Sequence, residues 1–243
     1  LPGGAHAGGR TSDQQRIELM AQTLRACGLN ETMTYSFAQP DDLESLRMDP
    51  EGLGDAVELI NPMNSDQSVL RRSIIPGLLR SVAHNQAHGV KNIQLYEIGE
   101  TFHAADGRQL PKERTRIAGV MVGAMGDAGW NVAPQPFDFF DGKGVIESLV
   151  RELAIPKLRF KALSADEAPH LQPGRAAQVL SGGTVLGWVG EIHPLAVDAF
   201  EAHGPVVAFE LELSVLIKSS QPARPYVDVP TFPAVSLDVA FVV

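Results

Sequence analysis

Residues 61–99, NPMNSDQSVLRRSIIPGLLRSVAHNQAHGVKNIQLYEIG, constrain the fold of this chain more than any other stretch. A polar loop leads to Arg71, Arg72 and Ser73, and a helical pattern then opens at Pro76, where proline's missing N–H forfeits no intrahelical bond. Leu78, Leu79, Val82 and Ala83 form one apolar face, and Gly89 ends the helix. Ile93, Leu95 and Glu97 then alternate with Gln94 and Tyr96, as a strand requires, up to Gly99.

Similar punctuation runs through the rest of the chain. Ser12 and Gln15 have the spacing of a capping box ahead of the apolar stripe Ile17, Met20, Ala21 and Leu24, and Gly28 closes that helix. Asp141 caps a second long helix whose apolar face is Val145, Ile146, Leu149, Val150 and Leu153. Shorter helices are predicted over 41–46 and 194–200. Strands are predicted over 32–37, 57–60, 101–104, 117–122, 158–163, 177–180, 184–191 and 206–213, with turns at Asp106-Gly107 and Ser181-Gly182-Gly183. Residues 125–137 read as a long ordered loop. This mixed order with hairpin turns predicts an α+β fold, a mainly antiparallel sheet flanked by helices.

Residues 1–10 read as a glycine-rich linker, 11–220 as one domain, and 221–243 as a proline-rich extended segment followed by a strand over 237–243. A β-prone run with no following partner suggests an excised fragment. With 243 residues, 44% of them hydrophobic, the chain can bury one large core, and no apolar run nears the roughly 20 residues that cross a bilayer. Its one cysteine, Cys27, excludes an internal disulfide, fits a reducing compartment and falls on an apolar helix side. The formal net charge of −9 argues against a domain that grips nucleic acid by itself, and the basic run 112–116 reads as solvated charge. Protein contacts are the expected business of the chain.

The search for chemistry gives mostly structural answers. His84 and His88 have zinc spacing on a helix, but Asn85 stands where a metalloprotease needs Glu and no third ligand follows. His193 reads as a residue that bonds backbone at a turn. Gly142-Lys143-Gly144 lacks the Ser or Thr of a phosphate loop and reads as a tight helix start. Asp41-Asp42 and Asp166-Glu167 read as caps or solvated loops. No catalytic, cofactor-binding or metal-binding residue is expected here. Arg71, Arg72 and Arg175 are candidate anion contacts, with ion pairing the favoured role.

The segment 61–99 resembles the bacterial phenylalanyl-tRNA synthetase beta subunit family. The residues that carry the resemblance are Asn61, Pro62, Ser65, Gln67 (shifted by one), Ser68, Arg71, Ser73, Pro76, Gly77, Leu78, Leu79, Glu97, Ile98 and Gly99. Upstream, Gly28-Leu29-Asn30-Glu31 and Thr34-Tyr35-Ser36-Phe37 match. Downstream, so do Phe139 to Gly144, Pro173 to Ala177, Gly190 to Pro194, Phe209-Glu210-Leu211, Phe232 to Val235 and Asp238-Val239-Ala240. A departure lies at Ser236 and Leu237, where the family carries basic residues.

The resemblance implies a class II aminoacyl-tRNA synthetase-like fold, and a strand at 237–243 that opens a ferredoxin-like anticodon-binding domain. It implies a cytoplasmic α2β2 enzyme in which a catalytic alpha subunit joins phenylalanine to tRNA(Phe) using ATP and Mg²⁺, with none of these cofactors on this chain. The first helix, through Ile17, Met20 and Leu24, would then be a candidate for the alpha interface. Class II enzymes place one arginine on the strand of their second signature motif and another on the helix of the third. Here the segment 94–99 has no arginine, and 206–213 carries Glu210 and Glu212 instead. Carboxylates at those places repel ATP, so the resemblance implies a non-catalytic module. The alternatives are a tRNA-binding module and an independent class II-like ligase.

Overall fold

The computed structural model describes residues 8–48, 53–105, 110–126, 129–131, 133–221 and 236–241. In chain order the elements are α1 (Ser12–Ala26), β1 (Asn30–Glu31), β2 (Phe37–Ala38), α2 (Asp42–Ser45), β3 (Val69–Leu70), α3 (Ile75–Ala87), β4 (Ile93–His103), β5 (Lys112–Val122), β6 (Ala124–Met125) and β7 (Gln135–Pro136). There follow α4 (Phe139–Glu152), β8 (Leu158–Ala162), β9 (Leu171–Ser181), β10 (Thr184–Ile192), α5 (Pro194–Ala199), β11 (Val206–Glu212) and α6 (Leu213–Ser219). The main sheet has seven strands in the order β1-β4-β5-β11-β10-β9-β8. Every pairing in it is antiparallel except β1 with β4, so the α+β expectation holds.

Two cores form because alternate strand residues point to opposite faces. Tyr96, Ile117, Met121, Val189, Val207, Phe209 and Leu211 pack under α1, α4 and α6. Ile93, Ala118, Val120, Val122, Val206 and Ala208 pack under α3 and α5. Consequently β11 is buried on both faces from Val206 to Leu211, the condition that favours an unbroken apolar run. Within that run Glu210 is a buried exception.

Several boundaries differ from the sequence expectation. The capping box of α1 is Thr11 with Gln14, one residue earlier than expected. That of α4 is Asp138 with Asp141, so Asp141 is the reciprocal partner and not the cap. The apolar stripe expected on α4 is buried, and Gly142 lies against Val207 and Val189. β4 does not stop at Gly99. It runs to His103 because β5 keeps pairing with it, Gly99 opposite Arg116 and His103 opposite Lys112. Residues 32–36 form no strand, and of 57–60 only Glu58 makes a bridge, to Val69. The loop 125–137 includes a two-stranded pairing of β6 with β7. The sequence reading missed α6 entirely; its Leu213 and Leu216 cover the first core.

The turn expected at Asp106-Gly107 and the match at 232–235 lie outside the described residues. Residues 236–241 form no strand, and Leu237, Val239 and Phe241 are exposed there. Alternation alone does not make a strand, because the ladder needs a neighbour's backbone bonds, and residues 236–241 pair with none of the described strands.

Candidate functional site

On the α3-bearing face, register places one row of residues across the strands: Glu97 on β4, Ala118 on β5, Glu210 on β11, Trp188 on β10, Gln178 on β9 and Lys161 on β8. Two carboxylates therefore stand on interior strands, almost without solvent contact. A buried ion needs both a counter-charge and hydrogen bonds for its remaining lone pairs.

Glu97 receives both. Arg71 Nη1 donates to its Oε1 at 2.7 Å, with 7% and 3% of the two side chains exposed. Thr34 donates to Oε2 from its backbone N–H at 3.1 Å and its hydroxyl at 2.7 Å. The guanidinium is itself used further, donating to the Glu100 carbonyl at 2.8 Å and to Thr34 Oγ1 at 2.9 Å. Residues 32–36 leave the strand conformation that their composition favours, and their loop delivers Thr34 to this carboxylate. Gly99 makes room for the pair: a Cβ there would overlap the Arg71 guanidinium and lie 2.8 Å from Glu97 Oε1.

Glu210 is held differently. Ser73 Oγ donates to its Oε1 at 3.0 Å and the Ile74 N–H at 2.8 Å, so the carboxylate sits at the N-terminus of α3, where the helix dipole favours negative charge. Arg116 Nη1 donates to Oε2 at 3.1 Å, and Nη2 lies 3.8 Å from Glu212. Ser73 Oγ also accepts from the Ile75 N–H at 3.2 Å. Pro76 follows in the first turn, and Gly77 lies so close to Thr34 that a Cβ would come within 2.5 Å of its hydroxyl. Thus Arg71, Ser73, Pro76 and Gly77, singled out by the sequence, act together: they seat α3 over two neutralised carboxylates. Ile75, Leu78, Leu79 and Val82 then fill this half of the face.

The candidate arginines separate by environment. Arg71 is the buried partner of Glu97. Arg72 donates to the Gly54 carbonyl at 2.6 Å, and burial lowers its pKa. Arg175, more than half exposed, chelates Glu191 at 2.7 and 2.9 Å, which raises its pKa. Arg71 and Arg175 thus each form an ion pair within the chain. Arg116 is a correction, because it leaves the solvated basic run and neutralises Glu210. Its period-2 position with Ala118 and Val120 was the available signal.

Met20 and Leu24 also move. Both are fully buried in the chain's own core, so neither offers a partner surface, and Ile17 packs partly against that core. Cys27 packs there too. His193 accepts from the Leu195 N–H at 3.2 Å, the turn role expected of it. His88 Nδ1 bonds the His84 carbonyl at 2.7 Å. Asp42 is a buried partner of Arg80, and Glu167 bonds Ser164, pairing Lys161 as well. Among the described residues no cluster of three metal-ligating side chains occurs.

Next to the filled half a cavity of about 760 Å³ opens, lined by the first half of β5, by Glu210 and Glu212 of β11, by β10, by Gln178 of β9 and by α6. His170 lines it, buried, with neither ring nitrogen bonded, and burial pushes its pKa down to about 4. Its ring meets Trp188 edge to face, with centroids 4.8 Å apart.

Comparison with known proteins places this geometry. The family model of the phenylalanyl tRNA synthetase beta chain CLM domain matches residues 1–213. The phenylalanine–tRNA ligase beta subunit of Symbiobacterium thermophilum is 38% identical over 98% of this chain, and that of Streptococcus pneumoniae 36% over 99%. The chain spans only 27% and 30% of the length of those two relatives. Among solved structures, a pyrrolysyl tRNA synthetase of Desulfitobacterium hafniense aligns with a TM-score of 0.63 over 86% of this chain and 66% of its own. At 17% identity that likeness concerns the fold alone, which is of the class II synthetase type.

Proposed function

The chain belongs to the phenylalanyl-tRNA synthetase beta-chain family, and on that premise we propose that it is a non-catalytic, class II-like structural module of a phenylalanine–tRNA ligase. It docks with a catalytic alpha subunit, which joins phenylalanine to tRNA(Phe) with ATP and Mg²⁺ in the cytoplasm. One observation carries this reading. Adenylate chemistry requires preorganised cations aimed at a triphosphate. At β4 and β11 this chain presents Glu97 and Glu210, each already bound to an internal arginine under α3. Residues so arranged do not fit an ATP–Mg²⁺ complex, and α3 packs on the Glu97 side.

The surface left for the partner is not the one that the sequence pointed to. Met33 and Tyr35 in one loop and Phe37 at the start of β2 are exposed at alternate positions, and Ile60 and Met63 are exposed in another loop. Large apolar side chains grouped in this way mark protein contacts. Co-expression with an alpha subunit should yield a complex that Met33→Ser with Tyr35→Ser weakens while the fold stays intact. Failure of the unaltered chain to associate would remove the assembly role. Phenylalanine-dependent ATP–pyrophosphate exchange by the chain alone would remove the non-catalytic one.

A further inference from the structure

The main sheet ends in two unequal edges. At one end β1 contributes only Asn30 and Glu31. At the other, β8 runs from Leu158 to Ala162 and pairs, among the described residues, with β9 alone. An edge strand presents a row of unpaired N–H and C=O groups to any further strand.

The register identifies those groups. Gly182 donates to the Lys157 carbonyl at 3.3 Å, and Leu163 donates to the Ala176 carbonyl at 3.0 Å. Both bonds continue the pairing that sets Leu158 opposite Ser181 and Ala162 opposite Ala177. Bonded and non-bonded pairs alternate along an antiparallel ladder. Positions 157, 159, 161 and 163 therefore bond toward β9, while Leu158, Phe160 and Ala162 turn their backbone groups outward. Those outward groups have no hydrogen-bond partner among the described residues.

The side chains of β8 set what a further strand must carry. Lys161 lies in the cross-strand row of the α3-bearing face, Arg159 shares that face by period 2, and both are exposed. Leu158 and Phe160 are partly buried against the first core, with Lys143 Nζ 5.1 Å from the centre of the Phe160 ring. From Lys157 to Leu163 the chain has three cations and no carboxylate. Of the nearby acids, Glu147 pairs Lys143 and Glu167 pairs Lys161, while Asp166 stands in the turn after the strand. Lys157 and Arg159 form no ion pair among the described residues.

Cross-strand pairs of opposite charge or of apolar groups stabilise a ladder, and like charges directly opposite destabilise it. A second copy of β8 would set cations against cations. A segment that alternates acidic and apolar residues instead puts carboxylates beside Arg159 and Lys161 and apolar groups beside Leu158 and Phe160. Basic residues guard an edge against indiscriminate pairing, and the same charge makes it selective for an acidic strand.

We propose that β8 accepts an extended segment of a partner protein, alternating acidic and apolar residues, as a further strand of the main sheet. The site lies at the edge opposite β1 and requires no alpha subunit. It does not rest on the assembly role and can fail separately from it.

A short fluorescein-labelled peptide of alternating glutamate and valine tests this by anisotropy. It should bind saturably, and its lysine–valine counterpart about tenfold more weakly or less. N-methylating every residue of the peptide keeps its charges but removes the N–H groups of the ladder, and should abolish binding. Proline is tolerated on an edge where its nitrogen faces outward, so Ala162→Pro removes one outward donor and spares the β9 pairing. That variant, folded by circular dichroism, should bind the peptide about tenfold more weakly, and so should Arg159→Glu. Absence of saturable binding would overturn the proposal. So would binding that full N-methylation leaves unchanged, because charge alone would then account for it; this arm stands even if Ala162→Pro does not fold. A chain that sediments as a dimer unless Ala162→Pro is present would make a second copy the occupant, and would overturn it as well.

Discussion

One cross-strand row runs through two unlike halves of the α3-bearing face. Toward β4 it is shut: Glu97 and Glu210 are buried, each meets a guanidinium, and α3 packs on this side, with Glu210 and Arg116 at the border of the open half. Over β10 and β9 it is open: Trp188 borders a cavity and Gln178 makes no side-chain bond among the described residues. The difference comes from charge. A carboxylate on an interior strand destabilises the fold unless every lone pair is answered. The chain answers by bringing Arg71 and Thr34 from loops and Arg116 from the adjacent strand. Where the row carries an indole and an amide, no such closure is required, and the face can keep a ligand-sized space. The shut half is committed to stability, while the open half is still available for binding.

The strongest way to break this contrast is Arg71→Ala, which leaves Glu97 charged, buried and without its guanidinium. Loss of one partner from a buried pair costs about 3–5 kcal/mol, so urea unfolding should show a drop of that size. Combining Arg71→Met with Glu97→Leu should recover most of it, because two apolar groups leave no ion to solvate. A drop below about 1 kcal/mol for Arg71→Ala would mean that the shut half is not locked by this pair.

The next effect belongs to the open half and appears only in acid. Burial holds His170 at about 4 in the folded chain against 6.5 in a model peptide. Between those values the unfolded chain takes up a proton that the folded chain refuses. Stability attributable to this site is thus complete above pH 6.5 and falls as the pH drops toward 4, by about 3 kcal/mol in all. His170→Leu should flatten that part of the profile. An unchanged slope between the two pH values would show that another group is responsible.

Gly99→Ala returns to the shut half with a smaller expected loss, about 1–3 kcal/mol. The added Cβ would meet the Arg71 guanidinium and Glu97 Oε1, and the ion pair has to shift to admit it. Thermal unfolding measures the loss, and a neutral result would mean that the pair tolerates displacement.

Much of this was legible before any coordinates. The α3 unit, the face of α4 and the strands β5, β8, β10 and β11 follow from periodicity and punctuation, because local pattern decides them. The absence of an arginine on β4 and the two glutamates of β11 were visible too. What sequence could not show is long-range. Glu97 meets Thr34 across 63 positions and Glu210 meets Ser73 across 137, and nothing local announces such partners. Arg116 looked like solvated charge because its neighbours Lys112 and Glu113 are exposed, whereas its own partner lies on another strand. Met20 and Leu24 looked available to a partner, since an apolar stripe does not say which surface covers it.

The smallest expected effect sharpens the comparison most. Ser73 and Gln178 are both short polar insertions near one row, and deleting either side chain removes only a few atoms. Ser73→Ala takes a hydrogen bond from a buried carboxylate and should cost about 1–3 kcal/mol, the penalty for a buried polar group left short of a partner. Gln178→Ala removes no side-chain hydrogen bond to a described residue and should stay within about 0.5 kcal/mol. Urea unfolding of the two variants side by side decides the matter. Equal losses would mean that Gln178 is held by the fold after all, and the open half would lose its claim to be free for binding. A loss confined to Ser73→Ala would show that polarity in the shut half is spent on the fold and polarity in the open half is not.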